Sequence, residues 1–143
     1  MSRIFDGRLH VQYGQAYVSP RDLSGLELDD AFVSQQNGLC GAASPGVLFL
    51  ITGLHTGWVG FTIDVLDGAP AVDESWEEVV EVSFTPDSDA LALLDWYGER
   101  VCDIPIARRS HRVRYSARGM EAGQTLDTCA DDTSIVDFYQ LAF

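Results

Sequence analysis

The chain has 143 residues, of which 22 are acidic and nine basic, for a formal net charge of −13; so negative a surface repels polyanions and excludes nonspecific nucleic-acid binding as a first reading. A hydrophobic share of 46% supplies enough apolar surface to offset chain entropy, which excludes a disordered chain. Chains of this size form one domain with a core that needs no staples, so residues 1–143 are expected to fold as a unit.

The first residues, Met1-Ser2-Arg3-Ile4-Phe5-Asp6, contain no apolar signal-type core. The longest apolar run, 47–51, falls far short of the roughly 20 residues that span a bilayer, and a cytoplasmic protein is expected. A first strand is predicted over 9–18 and a second over 47–52, introduced by Ser44-Pro45-Gly46. Over 58–65 the period is clearly two: Val59, Phe61, Ile63 and Val65 alternate with Trp58, Gly60, Thr62 and Asp64, as a strand with one buried face requires. Asp67-Gly68-Ala69-Pro70 can close a hairpin after it, and a strand over 78–84 ends at Thr85-Pro86-Asp87. Residues 87–97 read as well as helix as strand. Further strands are predicted over 101–106, 112–118 and 135–141. This pattern predicts an all-β fold, a single-domain antiparallel β-sandwich of about seven to nine strands.

Charge is distributed unevenly. From Asp22 to Glu99 there are fifteen Asp or Glu and no Lys or Arg, whereas residues 100–118 carry six Arg against one Asp. Solubility alone accounts for an acidic chain, but such a surface also attracts a basic protein at long range, with a salt-sensitive rate. The candidate partner-binding residues are Asp73, Glu74, Trp76, Glu77, Glu78 and Glu81, with Trp76 and the Trp96-Tyr97 pair as aromatic anchors. In 112–118, alternation puts Arg112, Arg114 and Arg118 on one strand face, and Glu77 and Glu81 share a side of theirs. The two rows can form a ladder of exposed ion pairs, each worth about 0.2–1 kcal/mol. Alternatively the Arg row is an anion or partner contact, which the planar guanidinium suits.

No phosphate-binding motif is present, neither GxxxxGK[ST] nor GxGxxG between strand and helix, and no cofactor is implied. The glycine-rich stretch 38–46 could form an anion-binding nest but reads as an ordinary loop. His10, His55 and His111 are isolated, and Cys40, Cys102 and Cys129 are odd in number at wide spacings, so no metal site and no disulfide framework is expected. Ser44 lacks a nucleophile elbow and Cys40 a local base. Asp127, Asp131 and Asp132 could hold a hard cation, but without the spacing of a calcium loop they read as solvated. Glu77 and Glu78 are adjacent on a strand and face opposite ways, which argues against a glycosidase pair.

Five segments carry a resemblance: Val11-Gln12-Tyr13-Gly14-Gln15; the glycine-rich loop leading into Val47-Leu48-Phe49-Leu50; Val80-Glu81-Val82-Ser83-Phe84; Val113-Arg114-Tyr115-Ser116-Ala117-Arg118-Gly119-Met120; and Ser134-Ile135-Val136-Asp137-Phe138. In their order the chain resembles the competence protein J family, small bacterial proteins whose best-known type inhibits a DNA-entry nuclease, and uncharacterised bacterial proteins of the same pattern. The resemblance implies an all-β domain that binds a nuclease without doing chemistry. The expected function is therefore a non-catalytic acidic binding protein, an inhibitor or immunity-type partner of a basic protein such as a nuclease, not an enzyme. Two alternatives stay open: a small-ligand protein or enzyme with an anion site at Arg112, Arg114 or His111, and a self-associating protein whose acidic segment docks on the basic segment of another copy.

Overall fold

The computed structural model describes residues 2–20, 31–130 and 134–143. Among these residues it holds eleven strands and one short helix, arranged as two facing sheets. In the first sheet, β1 (Ser2–Val11) runs antiparallel to β5 (Thr56–Val65), which runs parallel to β11 (Phe138–Ala142); β9 (His111–Arg118) and β6 (Glu78–Phe84) then follow in antiparallel pairs. The two-residue β10 (Thr128–Cys129) lies parallel to the start of β5. The second sheet is antiparallel throughout, in the order β3 (Cys40–Gly41), β4 (Leu48–Ile51), β2 (Gln15–Pro20), β7 (Leu91–Leu94) and β8 (Arg100–Asp103). The fold is the expected all-β sandwich, and the short β3 and β10 raise the strand count above the seven to nine expected.

Alternation in β5 buries Val59, Phe61 and Ile63 against Leu9, Val11, Leu50, Leu93, Val113, Tyr115 and Leu141 from the other strands. Gly60, on the opposite parity, is also buried: the Phe138 ring lies on it so closely that an added Cβ would come within 2.3 Å of its edge. Asp64 is buried too, because Arg3 reaches over it with Nε and Nη2 donating to its carboxylate at 2.8 and 3.1 Å, and Gln140 Nε2 donates at 2.7 Å.

Several expected boundaries move. The strand over 9–18 is two strands in different sheets, broken by consecutive left-handed residues, Tyr13 (φ 56°) and Gly14 (φ 61°). Gly14 donates to the His55 carbonyl at 2.8 Å and accepts from Thr52 N–H at 2.9 Å, so the break is held by the β4–β5 connection. Residues 87–97 contain strand β7, whose four residues are all buried: Leu91 and Leu93 face the sandwich core, while Ala92 and Leu94 pack with Tyr17 and Phe49 on the other side. With both faces covered, no period could mark it. The strand expected over 101–106 stops at Asp103, just before Pro105, which has no N–H for a ladder. The last strand begins at Phe138, and a helix that the sequence had not announced, α1 (Met120–Leu126), follows the left-handed Gly119. Among the described residues no helix is long and apolar enough to cross a membrane.

Candidate interaction site

After β5, residues 66–77 fold back across the outer face of the first sheet and expose Asp67, Asp73, Glu74 and Glu77. The Asp73 carboxylate accepts from Ser75 N–H at 2.9 Å, which holds its pKa below the ordinary value, and its carbonyl accepts from Trp76 N–H at 3.2 Å. That turn presents Trp76, half-buried, to Arg118, whose guanidinium lies 4.9 Å from the ring centroid. Glu77 accepts from Gly119 N–H at 2.6 Å, at the entry to α1. Glu81 accepts from Arg114 Nε at 2.9 Å and lies 3.4 Å from Arg112 Nε, and these two hydrogen-bonded pairs hold its pKa low. Glu74 and Glu78 make no ion pair among the described residues, so the six candidates fall into two groups. Glu74 and Glu78 face solvent as open carboxylates and Asp73 is exposed with only its local bond to Ser75, whereas Glu77, Glu81 and Trp76 are engaged with other elements of the fold.

The Arg row divides as well. The β6–β9 register sets Glu81 opposite Arg114. Arg114 also donates to the Pro70 carbonyl at 3.0 Å, and Arg112 to Ser83 Oγ at 3.2 Å. Arg112 and Arg114 line a cavity of about 200 Å³ together with Arg109, His111, Asp67 and Glu81. His111 Nε2 donates to the Ala107 carbonyl at 2.8 Å. Arg118 stands apart, between the rings of Trp76 and Phe138, 5.2 Å from the latter. Sequence reasoning missed two further cations on this outer face: Arg3, paired with Asp64, and Arg8, whose guanidinium lies 5.4 Å over Trp58. Alternation with buried Leu9 and Val11 carried that signal for Arg8, whereas Arg3 shares their parity and reaches the outer face only through the register shift between Arg3 and Phe5.

Trp96 and Tyr97, the other expected anchors, sit where β7 turns into β8, at the end of the sandwich where β5 begins. Tyr13 and His55 join them there. Inside the fold, Asp137 is fully buried; its Oδ2 accepts from Tyr139 Oη at 2.7 Å and Leu54 N–H at 3.1 Å, while Oδ1 has no hydrogen-bond partner among the described residues. Tyr139 Oη in turn accepts from Gly53 N–H at 2.7 Å, and its ring stacks on Tyr115, centroids 5.6 Å apart. Burial raises the pKa of Asp137 and of both tyrosines. Burial likewise pushes the Cys40 thiol up to about 12, which leaves it a poor nucleophile at neutral pH. No three of His, Cys, Asp and Glu gather as metal ligands among the described residues; Asp131 and Asp132 lie outside them.

No family model and no curated protein matches the chain. Two solved structures do. The crystal structure of ComJ from Bacillus subtilis, inhibitor of the DNA-degrading activity of NucA, superposes with a TM-score of 0.61 at 16% identity, over 99% of this chain and 95% of that one. The crocagin biosynthetic gene J product superposes with a TM-score of 0.52 at 12% identity, over 99% and 98%. Over nearly its whole length the chain thus shares the fold of ComJ.

Proposed function

We propose that this protein is a non-catalytic, cytoplasmic binding protein of the inhibitor or immunity type, and that its partner is a basic protein such as a nuclease. The observation that carries the reading is the exposed 66–78 segment, where Asp73, Glu74 and Glu78 stand open to solvent on a chain of net charge −13. The likeness of fold to an inhibitor of a DNA-degrading activity supports it. These carboxylates would cover the cationic surface that the partner otherwise offers to nucleic acid, and long-range attraction would speed the encounter.

The test is a pull-down with the tagged protein from host lysate at low and at about 0.5 M salt, with each retained basic protein then assayed for DNA cleavage with and without this chain. Glu74→Lys/Glu78→Lys is the control, because both residues lie outside the internal ion pairs. One basic protein retained at low salt, inhibited by the chain and released by the variant supports the reading. Retention and inhibition that the variant leaves unchanged count against it. A second reading, a small-anion site, is favoured by the cavity where Arg109, His111, Arg112 and Arg114 converge; inorganic phosphate that shifts the His111 ring resonances would favour it. Self-association of acidic on basic surface would appear in light scattering as an oligomer that dissociates with salt.

A further inference from the structure

Four rings form a continuous row at the end of the sandwich where β5 begins. His55 meets Tyr13 at 5.1 Å between centroids, Tyr13 meets Trp96 at 5.1 Å, and Trp96 meets Tyr97 at 5.2 Å. Unlike the core aromatics, the row is open: Tyr97 is 66% exposed and Tyr13 54%. Tyr13 holds φ 56°, a conformation that glycine adopts without steric cost and tyrosine does not. Asp127, also at positive φ, accepts His55 N–H on its carbonyl at 3.1 Å. Two residues at positive φ thus contact His55, Tyr13 through its ring and Asp127 through its carbonyl, and a strained backbone at Tyr13 holds an exposed ring in place.

The three tryptophans supply the chemistry. Trp58 carries Arg8 over its ring and Trp76 carries Arg118. Trp96 has no cation over it among the described residues, and acidic residues adjoin its row: Asp95 and Glu99 belong to the same turn, and Asp127 meets His55 through its backbone carbonyl. Asp95 spends one oxygen on the Tyr97 and Glu99 N–H groups, at 3.0 Å each, and Glu99 and Asp127 are exposed. The neighbouring Arg100 lies 3.7 Å from Asp103. A π-surface rimmed by carboxylates is complementary to a guanidinium.

We infer that the His55–Tyr13–Trp96–Tyr97 row is an anchor site that receives an arginine side chain from a loop of a basic partner protein. The inference rests on the proposed binding of a basic partner and moves its aromatic anchor from Trp76, whose ring the protein's own Arg118 already covers, to Trp96. The carboxylates of 73–78 then serve attraction, and the aromatic row serves residence.

The test uses the full chain, labelled with nitrogen-15, titrated with the peptide acetyl-Gly-Arg-Gly-Arg-Gly-amide and with its uncharged citrulline counterpart, to about 10 mM. The arginine peptide is expected to shift the Trp96 indole signal and the amides of Tyr13, His55 and Tyr97 saturably, and the citrulline peptide is not. Tyr97→Ala should weaken the arginine peptide by about fivefold or more, and so should Tyr13→Gly, which removes a ring while keeping a residue that tolerates φ 56°. Both changes lie on the surface, and unchanged remaining resonances will show an intact fold. Shifts confined to 73–78 and abolished by Glu74→Lys/Glu78→Lys would overturn the anchor and leave the proposed function standing. Equal shifts with both peptides would overturn it as well, and no shift anywhere would overturn the anchor together with the charge argument behind the proposed function.

Discussion

Glu81→Lys reverses the charge at the centre of the β6–β9 ladder, and the structure sets the size of the effect. Glu81 stands opposite Arg114, whose side chain is 17% exposed and 2.9 Å away, and near Arg112, 61% exposed and 3.4 Å away. The exposed Arg112 pair is worth about 0.2–1 kcal/mol, and the half-covered, charge-assisted Arg114 bond about 1 kcal/mol. A lysine loses both and places a third cation beside the two arginines, at roughly 1 kcal/mol per pair for 4 Å in a water-like dielectric. The expected loss is about 3 kcal/mol, which a domain of ordinary stability survives. Urea unfolding followed by tryptophan fluorescence reads it. The loss should shrink at about 0.5 M salt, where the screening length falls to a few ångströms. Glu81→Gln should lose only the attractive part, and Glu74→Lys or Glu78→Lys should leave the midpoint unmoved. A Glu81→Lys protein as stable as the parent, or a loss that salt does not change, would refute the pairing and return Glu81 to the open carboxylates.

Removing Arg3 by Arg3→Ala leaves the buried Asp64 carboxylate with Gln140 as its remaining side-chain donor, and should cost about 1–3 kcal/mol near neutral pH. Hydrogen bonding to Arg3 depresses the Asp64 pKa in the fold; that stability is present above the unfolded pKa and lost as pH falls through the folded one, so parent and variant should converge in acid when unfolding is measured at both pH values. Asp137 has the opposite sign: burial raises its folded pKa, so the folded chain takes up a proton before the unfolded one does as pH falls. The stability of the parent relative to Asp137→Asn should therefore rise as pH drops from above that raised value to below the ordinary carboxylate range, and paired denaturation curves across the window check it. Gly60→Ala forces the Phe138 ring off the sheet and should cost about 1–3 kcal/mol; in a double-mutant cycle Phe138→Ala should relieve most of that cost.

What the sequence alone determined is whatever depends on neighbours along the chain. The alternation of Val59, Phe61 and Ile63 marks β5 because residues two apart share a strand face and one face is buried. The odd parity of Val113, Tyr115 and Ala117 likewise turned Arg112, Arg114 and Arg118 to one side, and the acidic run from Asp22 to Glu99 needs no structure to be seen. Tertiary structure decided the rest. β7 escaped a periodicity reading because Ala92 and Leu94 are covered by Tyr17 and Phe49, residues that lie far off in the chain. The break at Tyr13-Gly14 exists because Thr52 and His55 bind Gly14 from another strand connection.

The same division runs through the candidate site. Sequence named Glu74, Glu78 and Glu81 together as partner-binding candidates and also offered Glu81 a ladder with the Arg row, and the register that sets Glu81 against Arg114 decides between a bound carboxylate and an open one. Trp76 was the anchor the sequence favoured, with Trp96-Tyr97 as the further candidate, and folding laid Arg118 over the first and brought Tyr13 and His55 to the second. Charge and aromatic content are sums over residues, which a sequence contains in full. Whether a given charge or ring is free to meet a partner depends on what packs against it, and that is set by contacts between segments far apart in the chain.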